Sequence, residues 1–153
     1  MFGDSLIEKE CSKIYNKKPI PKGIAFPTCI SVNNICGHFS PLPTEDQLIK
    51  EGDVVKIDLG AQFDGYMALV AHTIVVQADP NNPISDRKAD AILAAYKGVQ
   101  AAFRLLKPGN LNSQVTQTIK KVTDAYEVNP LEGVLSHEVK KHLMDGNNCI
   151  INK

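Results

Sequence analysis

Asp58 stands in the middle of an apolar, β-branched run from Val54 to Phe63, and a second such run from Tyr66 to Val76 follows the dipeptide Asp64-Gly65. A strand carboxylate together with imidazoles such as His38, His72 and His137 is the donor chemistry from which divalent-metal hydrolases are built. Asp64-Gly65 supplies positive φ at both centres of a two-residue turn, so Phe63 should face Tyr66 and Asp58 should face Ala71. Side chains alternate along a strand, which places Asp58, Gly60 and Gln62 on one face with Met67, Leu69, Ala71 and Thr73. Leu69 is then the diagonal neighbour of Asp58, and it has no lone pair to offer a metal ion. His72 falls on the opposite face as a core-facing or exposed imidazole. Asp64 is accounted for by the turn.

The elements around this hairpin follow from periodicity and punctuation. Phe2 to Tyr15 reads as a helix, with Asp4 or Ser5 as N-cap and Lys17-Lys18 near its end. Ala25 to Val32 reads as a short strand around Pro27, and Ser40 to Thr44 as a proline loop. Ser85 should cap a long helix to Leu106 whose Ile92, Tyr96, Val99, Phe103 and Leu106 make one buried stripe. Lys107-Pro108-Gly109 stops it. Asn112 or Ser113 should cap a second helix with a stripe of Val115, Ile119, Val122 and Tyr126. Ser136 to Met144 is expected as a short helix or irregular turn, and Cys149 to Ile151 as the start of a strand. Strands followed by helices in this order predict an α/β (α+β) layer, an antiparallel sheet with helices on its outer face.

Composition narrows the partners. Seventeen basic and seventeen acidic residues cancel, so no global field argues for nucleic acid or a membrane. All but two of the basic residues are Lys, and the pairs Lys17-Lys18, Lys120-Lys121 and Lys140-Lys141 read as solvated helix faces. Cys11, Cys29, Cys36 and Cys149 show neither C-x-x-C spacing nor a zinc-finger quartet, and read as reduced thiols. No apolar run approaches the roughly 18 residues of a membrane span.

The hairpin, from Lys56 to Thr73, resembles the first metal-binding hairpin of the methionine aminopeptidases, in which an Asp in an Ile-Asp context and another eleven positions later bind a metal pair. Here the first position is Asp58 and the second is Leu69. Ser31 to His38 resembles that family's substrate-contacting segment, with His38 at its histidine, and His137 in Leu135-Ser136-His137 matches the family's metal-ligating histidine. Lys22 to Asn34, His38 to Pro41, Glu51 to Gly60, Val70 to Thr73, Ala94 to Gly109 and Glu132 to His137 are more similar to a non-peptidase branch, the proliferation-associated or ErbB-receptor-binding proteins. The resemblance implies that residues 1–153 form the N-terminal half of a pita-bread (creatinase-type) fold. Two Glu ligands belong to the other half, so the chain is expected to be a fragment that exposes its sheet and self-associates through it.

A two-metal site needs bridging carboxylates, and removing one should forfeit most of the affinity. The resemblance therefore implies an inactive peptidase homologue, not an enzyme, in which His38, Asp58, Leu69 and His137 are vestigial positions. No catalytic residue, metal or cofactor is expected. Asp58 reads as a structural carboxylate that accepts local hydrogen bonds, and His38 as a packed or cleft-lining histidine. The implied function is an adaptor that binds structured RNA or ribosomal particles and growth-regulating proteins in ribosome biogenesis, in the cytoplasm, nucleus and nucleolus. The alternative is a metal-dependent methionine aminopeptidase with an altered ligand set, which needs a replacement for the missing oxygen from groups such as Gln62 or Thr73.

Overall fold

The computed structural model of the chain describes residues 2–153, which form two compact units. One comprises the chain up to Asn82 together with Val139–Met144; the other comprises Pro83–Glu138 and Asp145–Lys153.

In the first unit, helix α1 (Phe2–Cys11) precedes three strands, β1 (Lys22–Val32), β2 (Val54–Phe63) and β3 (Tyr66–Val75). They form one antiparallel sheet in the order β1-β2-β3. Asp64 and Gly65 adopt φ of 51° and 79°, the mirror-image turn that matches strand twist. Phe63 accordingly pairs with Tyr66 and Asp58 with Ala71.

Pro27 cannot donate to a ladder, and β1 shifts register on either side of Phe26. The Thr28 amide is satisfied from outside the sheet: Asp4 Oδ1 accepts from its N–H and from its hydroxyl, each at 2.8 Å. Asp4 thus lies inside α1 and ties it to β1 instead of capping it. The helix ends at Cys11, short of the expected Tyr15, which sits at φ 56°. Cys11, Cys29, Val32 and Val55 make the buried apolar core here.

In the second unit, α2 (Asp86–Leu105) and α3 (Asn112–Ala125) precede a small antiparallel pair, β4 (Leu135–His137) with β5 (Cys149–Ile151). Ser85 occupies the N-cap position without a side-chain bond, and Asp86 Oδ1 instead accepts from the Lys88 N–H at 2.9 Å. At α3 the Gln114 side chain accepts from the Leu111 N–H at 3.0 Å, and Asn112 Oδ1 from the Ser113 N–H at 2.9 Å.

The expected α2 stripe is overturned. Tyr96, Val99, Phe103 and Leu106 are exposed, while Ala94 and Gly98 are buried; α2 packs with α3. A Cβ added at Gly98 would meet nothing within 4 Å, so the burial of this face does not rest on a helix approach that only glycine allows. The α3 stripe is buried or half-buried, led by Val115. Thr116 and Asn112 donate to the carbonyls of Ile151 and Cys149, pinning β5 to α3. Ser136 and His137 belong to β4, and only Lys140 to Leu143 forms the expected irregular turn. Among the described residues no helix is long and apolar enough to cross a membrane.

Candidate functional site

The β2-β3 ladder places Gly60 opposite Leu69, two residues along from Asp58, so Asp58 and Leu69 are diagonal neighbours on one face. A Cβ built on Gly60 would lie 2.7 Å from Leu69 Cδ2 and 2.9 Å from Phe26 Cε1. Gly60 is therefore the floor on which the Leu69 side chain rests, and hydrocarbon fills the space beside Asp58. Leu69 is 38% exposed.

On the other side of Asp58, β1 contributes Cys29 as its cross-strand partner. Burial pushes the Cys29 thiol up, and the Asp58 and Asp4 carboxylates push it further. Such a thiol is held protonated and donates weakly to the Pro27 carbonyl at 3.3 Å.

His38 reaches the same carboxylate from a loop. The Ile30 N–H donates to the Phe39 carbonyl at 2.7 Å, and the Phe39 N–H donates to the buried Ser31 hydroxyl at 3.2 Å. These bonds fold the loop back along β1 with His38 at φ 60° and its Nδ1 4.0 Å from Asp58 Oδ2. The imidazole is 91% exposed, so of the two expected roles, packed or cleft-lining, it is not the packed one. Asp58 is 26% exposed with this imidazole beside it, and among the described residues the expected local hydrogen bonds to its carboxylate are not formed.

His137 lies in the other unit, on β4, with Nε2 3.0 Å from Asp145 Oδ1. It borders a groove of about 440 Å³ whose walls include Leu105, Leu111, Val115 and Cys149. His72 pairs with Ile57 on the face opposite Asp58 and is exposed.

Turn chemistry is not the whole account of Asp64. Its carboxylate takes a 2.7 Å ion pair from Lys141 Nζ, which also lies 5.2 Å from the centre of the Tyr66 ring. The His142 N–H donates to the Gly65 carbonyl at 2.9 Å, and its ring covers the spot a Gly65 side chain would need. Lys141 holds the Asp64 carboxyl below its ordinary value, and Asp64 holds the Lys141 ammonium above its own. Lys141 thus clamps the hairpin tip rather than decorating a solvated helix face. A contact across 77 positions leaves no local trace in a sequence.

The metal pair that the peptidase resemblance implies does not fit these residues. Its second carboxylate position is filled by Leu69, whose hydrocarbon cannot offset the dehydration of a hard cation. Among the described residues no three of His, Cys, Asp or Glu come together to hold a metal ion.

Comparison with known proteins places this geometry in context. The profile of metallopeptidase family M24 matches residues 4–147. The chain is 49% identical over 151 residues to ERBB-3 binding protein 1 of Arabidopsis thaliana, covering 97% of this chain and 38% of that protein. It is 48% identical over 153 residues to proliferation-associated protein A of Dictyostelium discoideum, covering 99% of this chain and 40% of that one. A solved thermophilic Arx1 superposes with a TM-score of 0.82 at 30% identity, covering 98% of this chain and 47% of Arx1. The chain thus spans about two fifths of the length of these curated relatives.

Proposed function

The chain belongs to metallopeptidase family M24, with its mixed α/β, methionine aminopeptidase-like fold, and on that premise we propose that it is a non-catalytic adaptor. Its similarity to proteins named ERBB-3 binding protein and proliferation-associated protein supports recognition of other macromolecules as the retained role. In this reading it binds RNA or ribosomal particles and growth-regulating proteins in ribosome biogenesis, in the cytoplasm, nucleus and nucleolus.

One observation carries the proposal. The side chain diagonal to Asp58 is Leu69, seated on Gly60. A two-metal hydrolase works by clamping a water between ions held by bridging carboxylates, and an alkyl group cannot take that part. Asp58, His38 and His137 remain, but a single carboxylate with imidazoles supplies no second bridging anion for a metal pair.

Calorimetric titration with Co²⁺, Mn²⁺ and Zn²⁺, paired with cleavage of a Met-initiated peptide, tests this directly. The expected result is no tight uptake and no turnover. Uptake of two ions per chain with peptide trimming would establish the altered-ligand aminopeptidase instead. RNA binding is read by its salt dependence, since each phosphate neutralised releases counterions and steepens the loss of affinity with salt.

A further inference from the structure

β4 and β5 bring a thiol and an imidazole side by side. His137 pairs with Cys149 across the two strands. The Glu138 N–H donates to the Asn148 carbonyl at 2.8 Å, and the Asn152 N–H to the Val134 carbonyl at 3.3 Å. Pairs that exchange hydrogen bonds alternate with pairs that do not, so His137 and Cys149 form a non-hydrogen-bonded pair. Side chains stand closest in such pairs, with Cβ atoms about 4.5–5.5 Å apart. The outer edge of β5 agrees: Asn112 Nδ2 donates at 3.1 Å to the Cys149 carbonyl, which the ladder leaves free.

His137 is arranged to accept a proton. Asp145 Oδ1 lies 3.0 Å from its Nε2. A carboxylate at that place holds the ring proton on Nε2 and leaves the lone pair on Nδ1, the nitrogen nearer the strand. Among the described residues neither Nδ1 nor the free Cys149 thiol has a hydrogen-bond partner. The two groups are neighbours at rest rather than bonded, and catalytic hydrogen bonds of this kind tighten once substrate is in place.

Both side chains line the groove of about 440 Å³, with Leu105, Leu111, Val115 and Ile150 among its other walls. All of these residues belong to the second unit. A space of this size with apolar walls suits a small apolar ligand. The chemistry beside it narrows the class. Cleaving an amide needs an oxyanion hole, and both groups stand on short strands rather than at a helix N-terminus. A thioester is already activated, so moving its acyl group to another thiol needs only a nucleophile, a base and room for the chain.

We propose that Cys149 is an S-acylation site that takes a medium-chain acyl group from an acyl thioester into this groove. The Cys149 sulfur attacks the thioester carbonyl carbon while its proton passes to His137 Nδ1. A bond forms from Sγ to that carbon, the bond from the carbon to the donor's sulfur breaks, and His137 returns the proton to the departing thiolate. Nothing is oxidised or reduced. Asp145 acts through His137 as a positioning residue. The site goes beyond the adaptor reading and does not rest on it.

The test incubates the chain with octanoyl-CoA or acetyl-CoA at equal concentration and locates the added acyl mass by peptide mapping. Two methylenes buried in the groove are worth about tenfold, so octanoyl-CoA should acylate Cys149 at least about tenfold faster than acetyl-CoA. Exposed Cys36 should show no such preference. Cys149→Ser should abolish the adduct in the groove. His137→Ala and Asp145→Ala should each lower the maximal rate by about tenfold or more and leave the half-saturating octanoyl-CoA concentration little changed. The Asp145 side chain is 80% exposed, so its replacement leaves the fold intact. Leu111→Ser, at an exposed wall of the groove, should do the reverse and raise the half-saturating concentration at an unchanged maximal rate.

Absence of an adduct at Cys149, or an adduct formed without regard to chain length, overturns the proposal. So does acylation that proceeds at the same rate in His137→Ala and Asp145→Ala, or octanoyl labelling of Cys36 as fast as that of Cys149, which is ordinary solution chemistry. None of these results bears on metal uptake, so the adaptor reading stands or falls by its own titration.

Discussion

Replacing Leu69 with Asp asks whether one hydrocarbon keeps a cation out of the hairpin. Leu69 is about three-fifths buried, so losing its side chain should forgo about 1–2 kcal/mol of apolar burial. A new carboxylate diagonal to Asp58, roughly 7 Å away, adds about 1 kcal/mol of repulsion at a half-exposed site. Leu69→Asp should therefore be destabilised by about 2–3 kcal/mol, a fall of roughly 5–10 °C in Tm for a chain of this size. Divalent metal should then restore stability, by about 2.7 kcal/mol once its concentration is a hundredfold above Kd. The control is Leu69→Asn, which loses the same hydrocarbon without gaining charge and should stay insensitive to metal. Thermal unfolding with and without Mn²⁺ or Co²⁺, backed by calorimetry, makes the comparison. If the folded Leu69→Asp protein ignores both metals, Leu69 is not what excludes them; if the unmodified chain is stabilised as strongly, no exclusion exists.

Gly60→Ala would press a methyl against Leu69 Cδ2 and Phe26 Cε1, so it should cost about 1–3 kcal/mol. Combining it with Leu69→Ala should cost less than the sum of the two, and denaturant titration of the four proteins measures that coupling. Asp4→Ala should lower stability by about 1.5–3 kcal/mol by leaving the Thr28 amide and hydroxyl without their charged acceptor. Those Thr28 bonds hold the Asp4 carboxyl below its ordinary value, so its contribution is complete above the unfolded pKa and is lost as pH falls through the depressed folded one. Acid titration of stability should show this loss in the native chain and not in Asp4→Ala. Among the thiols, exposed Cys36 should react with an aromatic disulfide reagent before buried Cys29, whose pKa is raised; comparable rates would contradict the site's electrostatics.

How legible the fold was depended on the range of the interaction that decided each element. Hairpin register needed only Asp64-Gly65, because a two-residue turn fixes every pairing from Phe63 with Tyr66 back to Asp58 with Ala71. The length of α2 was equally plain, since its stop lies in Lys107-Pro108-Gly109. Its orientation was not. The helix has two apolar faces, one of small residues and one of bulky ones, and a period of 3.6 does not say which meets a neighbour. In the structure the buried residues are Ala94 and Gly98.

The candidate site divides in the same way. Sequence alone determined that Leu69 would stand diagonal to Asp58, because alternation and register are properties of the local backbone. Only the tertiary structure decided that Gly60 gives Leu69 its seat, that Ser31 and Ile30 fold His38 out into solvent, that Asp4 reaches from within its helix to serve Thr28, and that Lys141 and His142 fasten the hairpin tip. Each of those contacts joins residues brought together by chain closure and burial, and such partners are chosen by three-dimensional proximity, to which spacing along the chain gives no guide.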